Sequence, residues 1–331
     1  MKESKKEEQD YVDAGRAEME AMPWPEGDTV RYGVTTLHDA DSHAMQLDRL
    51  ANPADAGTGV VEAGMVALNF SDEANAWSYS RAIQNGMVAI AERYGASTVF
   101  MGEDMEVAGA FGMNVPLKNK GHSDLLLDMP LSEAVIIHAA TGAALGGMRP
   151  VAEIQFGGFA ALAMNALINN TAQLRWRWGA DVPMVVRIPL GAKTRSGPFH
   201  ANMIESWFMN DPGLVIVFPS NPQDAYDLLV EAAALEDPVV FLEHLGMYGL
   251  RGGLTGWGDR IHMQVNTENV AEAIKSGDTY KIGKANVVRG GSDATIVTWG
   301  AMVHVALKAA ETLSNEGKEI EVVDLRTLAP F

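Results

Sequence analysis

From residue 76 onward the apolar positions recur with two periods. In Ser78–Tyr94, the residues Ile83, Met87, Ile90 and Tyr94 fall at spacings of three and four, which predicts a helix. Gly95 is placed to stop it. Thr98–Gly102 (TVFMG) is a short apolar run of strand type. Ser132–Gly147 predicts a helix so rich in Ala and Gly that a neighbour can approach it closely. Pro150–Phe156 predicts a strand, and Phe159–Trp178 a long helix. Pro183–Pro189, Leu214–Pro219 and Val239–Glu243 are β-branched runs of the buried-strand type, with a helix over Asp224–Leu235 between the last two. Strands and helices that alternate in this way predict an α/β fold, a mainly parallel sheet with helices on both faces.

Residues 244–292 carry many glycines and few apolar runs, a pattern that reads as a connection between domains. A second unit follows, with strand Ala294–Trp299, helix Met302–Asn315 and strand Ile320–Leu325. One βαβ of this size is too small to fold alone. It is expected either to pack on the first domain or to be the opening of a domain that the chain does not complete. Residues 1–70 differ from both units. The first 21 are charged and helix-favouring, Met22-Pro-Trp-Pro-Glu breaks any helix, and mixed polar sequence follows. The expected division is an acidic extension over 1–70, an α/β domain over 71–245, a connection over 246–292 and a partial α/β C-terminal domain over 293–331.

Charge and composition narrow the chemistry. The 331 residues carry a formal net charge of −18, and residues 1–70 alone hold 6 Lys/Arg against 14 Asp/Glu. An acidic chain is a poor ligand for polyanions, because nucleic-acid affinity rests on Lys/Arg–phosphate contacts. Nucleic acid and anionic membrane surfaces are therefore not expected partners. With no cysteine, disulfides, thiol catalysis and Cys-ligated metal sites are excluded, and an intracellular, cytoplasmic location is expected. No run of 18 apolar residues suggests a membrane span. The opening MKESKKEEQD lacks the apolar segment of a secretory signal.

Several common signatures are missing: no P-loop, no GxSxG elbow and no HExxH. His38, Asp39, Asp41 and His43 form the densest group of metal-ligand types, but short polar runs of this kind are usually solvated loops, and no metal site is expected. Arg175-Trp-Arg-Trp178 suits helix packing with Arg–acid pairs better than base stacking, given the acidic balance. Two residues stand out. Glu133 follows Pro130-Leu131-Ser132 and opens an apolar helix. It reads either as a carboxylate favouring the helix dipole, with Ser132 as N-cap, or as a desolvated acid that shares a proton with a ligand. His200 lies in a loop after the strand over 183–189, near Lys193 and Arg195. Such loops at the carboxyl ends of parallel strands bind ligands in α/β proteins, so His200 is either an acid/base group or an ordinary surface histidine.

Longer motifs carry a resemblance. They are Met101-Gly-Glu-Asp104, Pro130-Leu-Ser-Glu-Ala134, Gly147-Met-Arg-Pro-Val-Ala-Glu-Ile-Gln-Phe156, Asp211-Pro-Gly-Leu214, Pro219-Ser-Asn-Pro-Gln-Asp-Ala225 and Asp237-Pro-Val-Val-Phe-Leu-Glu243. In this order and spacing they resemble the β subunit of thiamine-diphosphate-dependent 2-oxo acid dehydrogenase E1 components, over about residues 76–331. The resemblance implies a transketolase-type pyrimidine-binding domain followed by a transketolase C-terminal domain, which in the family continues past Arg326-Thr-Leu-Ala-Pro330. It also implies roles. Glu133 matches the carboxylate that hydrogen-bonds N1′ of the aminopyrimidine, Phe159 the aromatic that stacks on that ring, and Leu131 and Gln155 neighbouring cofactor contacts. Glu103 matches an acid of the proton path linking paired sites. His200 matches the histidine that donates a proton as the acyl group passes to the lipoyl arm of E2.

The same resemblance implies partners. The family binds diphosphate and Mg²⁺ through a GDG…NN motif on an α subunit, and neither Gly27-Asp28-Thr29 nor Gly277-Asp278-Thr279 continues as that motif does. The chain is thus expected to supply the pyrimidine half of a shared thiamine diphosphate site, in an α2β2 assembly with a second β subunit, and to hand its product to E2. The substrate expected is pyruvate or a branched-chain 2-oxo acid. Departures exist: His200-Ala201-Asn202 stands where the family usually has His-Ser-Gln, and Asn165-Ala166 where an Asp-Gln pair is common. The alternatives are an acetoin dehydrogenase β or other transketolase-like subunit, and a non-catalytic interaction or regulatory chain.

Overall fold

The computed structural model describes residues 76–191, 198–248 and 262–329. The acidic extension, the His38–His43 cluster and the Lys193–Arg195 part of the histidine loop lie outside these residues.

In chain order the elements are β1 (Trp77–Ser78), α1 (Tyr79–Tyr94), β2 (Thr98–Gly102), α2 (Val115–Asn119), β3 (Leu126–Asp128), α3 (Glu133–Leu145) and β4 (Arg149–Glu153). An irregular helical stretch over 157–173 leads into α4 (Leu174–Trp178). Then come β5 (Val185–Leu190), α5 (Glu205–Met209), β6 (Val215–Val217), α6 (Pro222–Ala232), β7 (Val239–His244), β8 (His262–Met263), α7 (Glu268–Ser276) and β9 (Asn286–Arg289). The chain continues through β10 (Ala294–Thr298), α8 (Met302–Ser314), β11 (Ile320–Asp324) and β12 (Thr327–Ala329).

The main sheet has seven strands in the order β12-β6-β7-β5-β4-β2-β3. Every pair in it is parallel except β12 with β6. Alternate side chains feed two cores. Phe100, Val151, Val185, Val239 and Phe241 point to the face covered by α1 and α6. Met101, Ala152, Val186, Val240 and Leu242 point to the face covered by α3 and the irregular stretch. Both faces being buried explains why these strands read as apolar runs rather than as alternating patterns. Burying each such Val, Leu or Phe contributes roughly 1.5–3 kcal/mol.

The predicted α1 holds closely. Ser78 caps it by accepting the Arg81 N–H at 3.2 Å, and Gly95 ends it at φ 51°. The predicted helix over Phe159–Trp178 is helical but not one α-helix. It runs as a 3₁₀ turn over Gly157–Ala163, a π-helical turn over Asn165–Asn170, a 3₁₀ turn over Thr171–Gln173 and then α4. The cause is local. Asn and Thr compete with the backbone for hydrogen bonds in helix interiors. Here the Thr171 hydroxyl bonds the Ala166 carbonyl, five residues back, at 3.0 Å, which is the π register. The same hydroxyl meets Thr141 Oγ1 of α3 at 2.7 Å. Beneath this stretch Gly213 crosses Ala172 so closely that a Cβ on residue 213 would lie 2.0 Å from the Ala172 carbonyl oxygen.

The connection expected over 246–292 contains structure of its own. α7 lies in it, and β9 pairs antiparallel with β11 to complete a three-stranded sheet, β10-β11-β9. That small unit meets the main domain. β12 adds itself to the main sheet. A buried polar seam joins the two parts. Lys281 pairs with Asp224 (2.6 Å) and Asp227 (2.8 Å), Arg326 pairs with Asp224 (3.0 Å), His304 donates to the Ser220 carbonyl (2.7 Å), and Ser220 bonds Asp324. Burial pushes the Asp224 carboxyl up, but Arg326 and Lys281 outweigh it and hold it at about 2. Asp324 is the opposite case: burial, with the Asp224 charge, pushes it up to about 7.

The sign of that shift yields a prediction. The folded chain keeps a proton on Asp324 through a range where the unfolded chain, near 3.9, has lost it. This contribution to stability is complete below about pH 4 and is lost as pH rises through 7. Asp324→Asn cannot lose that proton. Its advantage over the parent should widen by about 2–3 kcal/mol between pH 5 and pH 8. Thermal melts of both proteins at the two pH values measure this, and a gap independent of pH would refute it.

Candidate active site

Four adjoining parallel strands end at the same edge of the sheet, in the order β3-β2-β4-β5. Each delivers a residue singled out from the sequence just beyond its carboxyl end. Glu103 follows β2, Leu131 and Glu133 follow β3, Gln155 and Phe159 follow β4, and His200 follows β5. Ligands of open α/β sheets bind at such carboxyl edges.

Glu133 is the first residue of α3 and is only 6% exposed. A carboxylate in the first helical turn is favoured by the helix dipole. Ser132 occupies the N-cap position, as one reading had it, but makes no side-chain cap bond and holds the helix start through its carbonyl, which accepts from Val135 and Ile136 at 3.0 Å each. Leu131, two residues earlier, is 86% exposed. An apolar side chain thus stands in the open beside a buried acid. Glu103 is equally buried. Burial first, then the negative charges of Glu133, Asp104 and Glu153, hold its carboxyl above the ordinary carboxylate range. Gln155 reaches back to this pair of elements, with its amide Nε2 at 3.3 Å from Asp104 Oδ2 and 3.5 Å from the Glu103 carbonyl.

The aromatic side of the site is a cluster of rings. Phe159 meets His200 at 5.6 Å between centroids, nearly perpendicular. Phe156 meets Phe159 at 5.6 Å and His200 at 4.5 Å, again edge to face. The His200 loop is seated by glycines: a Cβ on Gly158 would lie 2.8 Å from Asn202 Oδ1, and one on Gly157 3.1 Å from the Asn202 carbonyl. Asn202, one of the departures from the family pattern, therefore closes directly on the backbone that carries Phe159.

Below this edge lies a buried ion cluster that the sequence did not flag. Arg187, fully buried in β5, meets Glu153 at 2.7 Å and clasps Glu243 of β7 through Nε at 2.6 Å and Nη2 at 2.9 Å. Tyr248 donates its hydroxyl to Glu243. Burial lowers the Arg187 pKa, but the two carboxylates overcome it and leave the guanidinium more basic than usual. The available signal was a charged residue inside the otherwise apolar run Met184–Leu190. Phe156 was also missed, although it closes the quoted motif that contains Gln155.

At these strand ends the described acids, Glu103, Asp104, Asp128, Glu133 and Glu153, outnumber the cations. Among the described residues no group of three or more His, Asp or Glu could hold a metal ion. A buried carboxyl beside an exposed apolar side chain, with a cluster of rings past β4 and β5 at the same sheet edge, suits a flat heterocycle with a ring nitrogen acceptor. It does not suit a diphosphate.

Fold and site together define a transketolase-type pyrimidine-binding domain. The family model "Transketolase, pyrimidine binding domain" matches residues 75–249, and "Transketolase, C-terminal domain" matches 283–331. Three curated relatives give the subgroup. The β subunit of acetoin:2,6-dichlorophenolindophenol oxidoreductase from Cupriavidus necator is 41% identical over 232 residues, which span 70% of this chain and 63% of that protein. The 2-oxoisovalerate dehydrogenase subunit beta of Bacillus subtilis is 39% identical over 77% of this chain and 73% of its own length. The pyruvate dehydrogenase E1 component subunit beta of the same organism is 38% identical over 71% and 68%. Among solved structures, a "Split gene transketolase, inactive beta4 tetramer" superimposes with a TM-score of 0.55 at 20% identity, covering 75% of this chain and 70% of that one, a likeness of fold. The chain belongs to the family of 2-oxo acid dehydrogenase E1 β subunits.

Proposed function

We propose that this chain acts with an α-type partner in the thiamine-diphosphate-dependent oxidative decarboxylation of a 2-oxo acid, pyruvate or a branched-chain acid, and passes the acyl group to a lipoyl-bearing E2. The observation that carries the reading is Glu133, a buried acid just past β3, with Gln155 and Phe159 following β4 at the same edge of the sheet. When bound, thiamine diphosphate supplies a carbanion and then an electron sink for the departing carboxylate.

The chain's own residues hold and move protons around it. Glu133 shares a proton with N1′ of the pyrimidine, which readies the amino group on that ring to act as a base. A desolvated carboxyl is suited to that exchange. Phe159 and Leu131 hold the ring and exclude water. Glu103 lies close enough for its carboxyl to feel the Glu133 charge, and a proton passed between them would link this site to a second copy's. His200 donates to the sulfur released when the lipoyl disulfide opens on acyl transfer. The diphosphate and its Mg²⁺ fall to the α subunit, since the described charges at this edge are acidic. No helix among the described residues is long and apolar enough to cross a membrane, and the proposal places the α2β2 assembly in the cytoplasm.

A second enzyme reading, cleavage of acetoin, is kept by the 41% identity to the Cupriavidus necator subunit. Co-expression with an α-type chain bearing GDG…NN, followed by calorimetry with thiamine diphosphate and Mg²⁺, tests the shared site. The pair should bind micromolar cofactor and the β chain alone should not. Tight binding by the isolated β chain would defeat the shared-site reading. Turnover of pyruvate, 3-methyl-2-oxobutanoate and acetoin with an artificial acceptor then separates the substrates. A well-formed complex inert toward all three would point to the non-catalytic alternative.

A further inference from the structure

The turn after β2 holds a phenylalanine in a backbone conformation that side chains rarely adopt. Phe111 lies at φ 58° and ψ 21°. For a bulky residue this left-handed region persists only where its surroundings impose it. Here they act from two sides. The Ala110 N–H donates to Glu153 Oε1 at 3.2 Å, and Glu153 Oε2 accepts from Arg187 at 2.7 Å. The Phe111 ring meets Tyr248 edge to face at 5.8 Å, and Tyr248 donates to Glu243, the other carboxylate of Arg187. One buried guanidinium therefore anchors residues 110 and 111 through both of its carboxylates. On the opposite side Phe111 meets Phe156 at 5.6 Å and 89°, and Phe156 meets the His200 imidazole at 4.5 Å and 77°.

We propose that Phe111 is a positioning residue, which the Arg187 cluster clamps so that it holds the Phe156 ring against His200 and orients the imidazole for proton donation. The proposal rests on the role given to His200 above. Its physical basis is the ring quadrupole. An aromatic edge is positive and its face negative, so a perpendicular pair has a preferred orientation, and a protonated imidazole responds to the part of the ring it meets. Without Phe111, Phe156 loses one of the three rings that meet it among the described residues. The imidazole then changes both its direction and its electrostatic surroundings. Phe111 reaches Phe159 only through Phe156, which Phe159 meets at 5.6 Å, and it has no described hydrogen bond to Glu133, so the cofactor-activating half of the site should register its loss less than His200 does.

The test uses the assembled α2β2 enzyme with Phe111→Gly and Phe111→Tyr. Glycine suits φ 58°, so the first variant removes the ring without adding backbone strain. Phe111→Gly should slow lipoyl acylation by about 10- to 100-fold, the scale of a misplaced catalytic group. Decarboxylation with an artificial acceptor should fall by a clearly smaller factor, since no proton on Glu133 is disturbed. The His200 ring signals should move in NMR spectra, because the ring that faces the imidazole is re-aimed, while those of His122 do not. Phe111→Tyr should restore all three readouts. The proposal is overturned if the His200 ring signals stay where they are in the parent, or if both rates fall by the same factor. Should His200→Asn leave lipoyl acylation intact, the role of His200 itself is what fails. The displacement of the His200 ring signals in Phe111→Gly must then still appear for the clamp to stand.

Discussion

Glu133→Gln should lower decarboxylation with an artificial acceptor by about 10²–10⁴-fold, the usual worth of a positioned acid or base. Glutamine keeps the size and the hydrogen-bonding reach of the side chain but cannot give up or regain a proton at that atom. The fold has no reason to change, because the residue sits at a helix start whose bonds run through the Ser132 carbonyl. Cofactor affinity in the α2β2 assembly should fall far less than turnover, since a neutral amide can still bond a ring nitrogen. A second consequence needs no cofactor. The Glu133 charge is the first of the neighbouring charges that raise the Glu103 carboxyl, after burial itself. Removing it should bring the Glu103 titration down toward the ordinary range, which carbon-detected NMR can follow in the assembled protein. Full activity in Glu133→Gln would sink the mechanism. An unmoved Glu103 would show that the two acids are not in electrical contact.

How far this site was legible in the sequence depends on what each residue had to do. Strand ends were readable because apolar runs in a parallel sheet are short and bounded, and the chemistry sits just past them. Glu103 thus falls just past the expected strand that became β2, whereas Gln155, expected inside a strand over Pro150–Phe156, lies past β4, and Glu133 lies past β3, which is not among the expected strands. The irregular stretch over 157–173 was not readable as such. Period alone cannot tell a 3₁₀ or π turn from an α turn, and the deciding bond, Thr171 to Ala166, depends on where α3 lies. The short strands β3 and β12 were missed for a different reason. Three residues carry no periodicity, and β12 becomes a strand only because β6 offers it an edge. Of the ion cluster, the sequence offered only the charge of Arg187 inside an apolar run, and not its partners. Glu153, Arg187 and Glu243 are on three strands, and only the register that sets Glu153 beside Arg187 and puts β5 against β7 brings them together.

That cluster also governs the largest stability effect expected. Arg187 is completely buried, and its two carboxylates are buried with it. A buried ion group of this kind adds little net stability over an apolar core, because desolvation offsets the attraction between the charges. Removing one partner is another matter, since it leaves charge without compensation. Arg187→Met fills much of the same volume and strands Glu153 and Glu243, which should cost about 3–5 kcal/mol. At roughly 2–4 °C per kcal/mol this is a fall in melting temperature on the order of 10 °C. The loss should depend on pH in a definite direction. Burial already holds the Glu153 carboxyl above its ordinary range, and Arg187 is the strongest influence pulling it down. Without the guanidinium its folded pKa rises further above the unfolded value. The variant then loses stability as pH climbs from about 4 toward neutrality, and its deficit is larger at pH 8 than at pH 5. Adding Glu153→Gln and Glu243→Gln to Arg187→Met removes the stranded charges and should recover most of the melting temperature. It should not recover the Phe111 clamp, because the N–H of Ala110 and the hydroxyl of Tyr248 would then meet neutral amides instead of ion-paired carboxylates. A single Arg187→Met protein that melts with the parent at pH 8 would mean that the carboxylates find water or other donors, and that the cluster is not the closed unit its geometry describes.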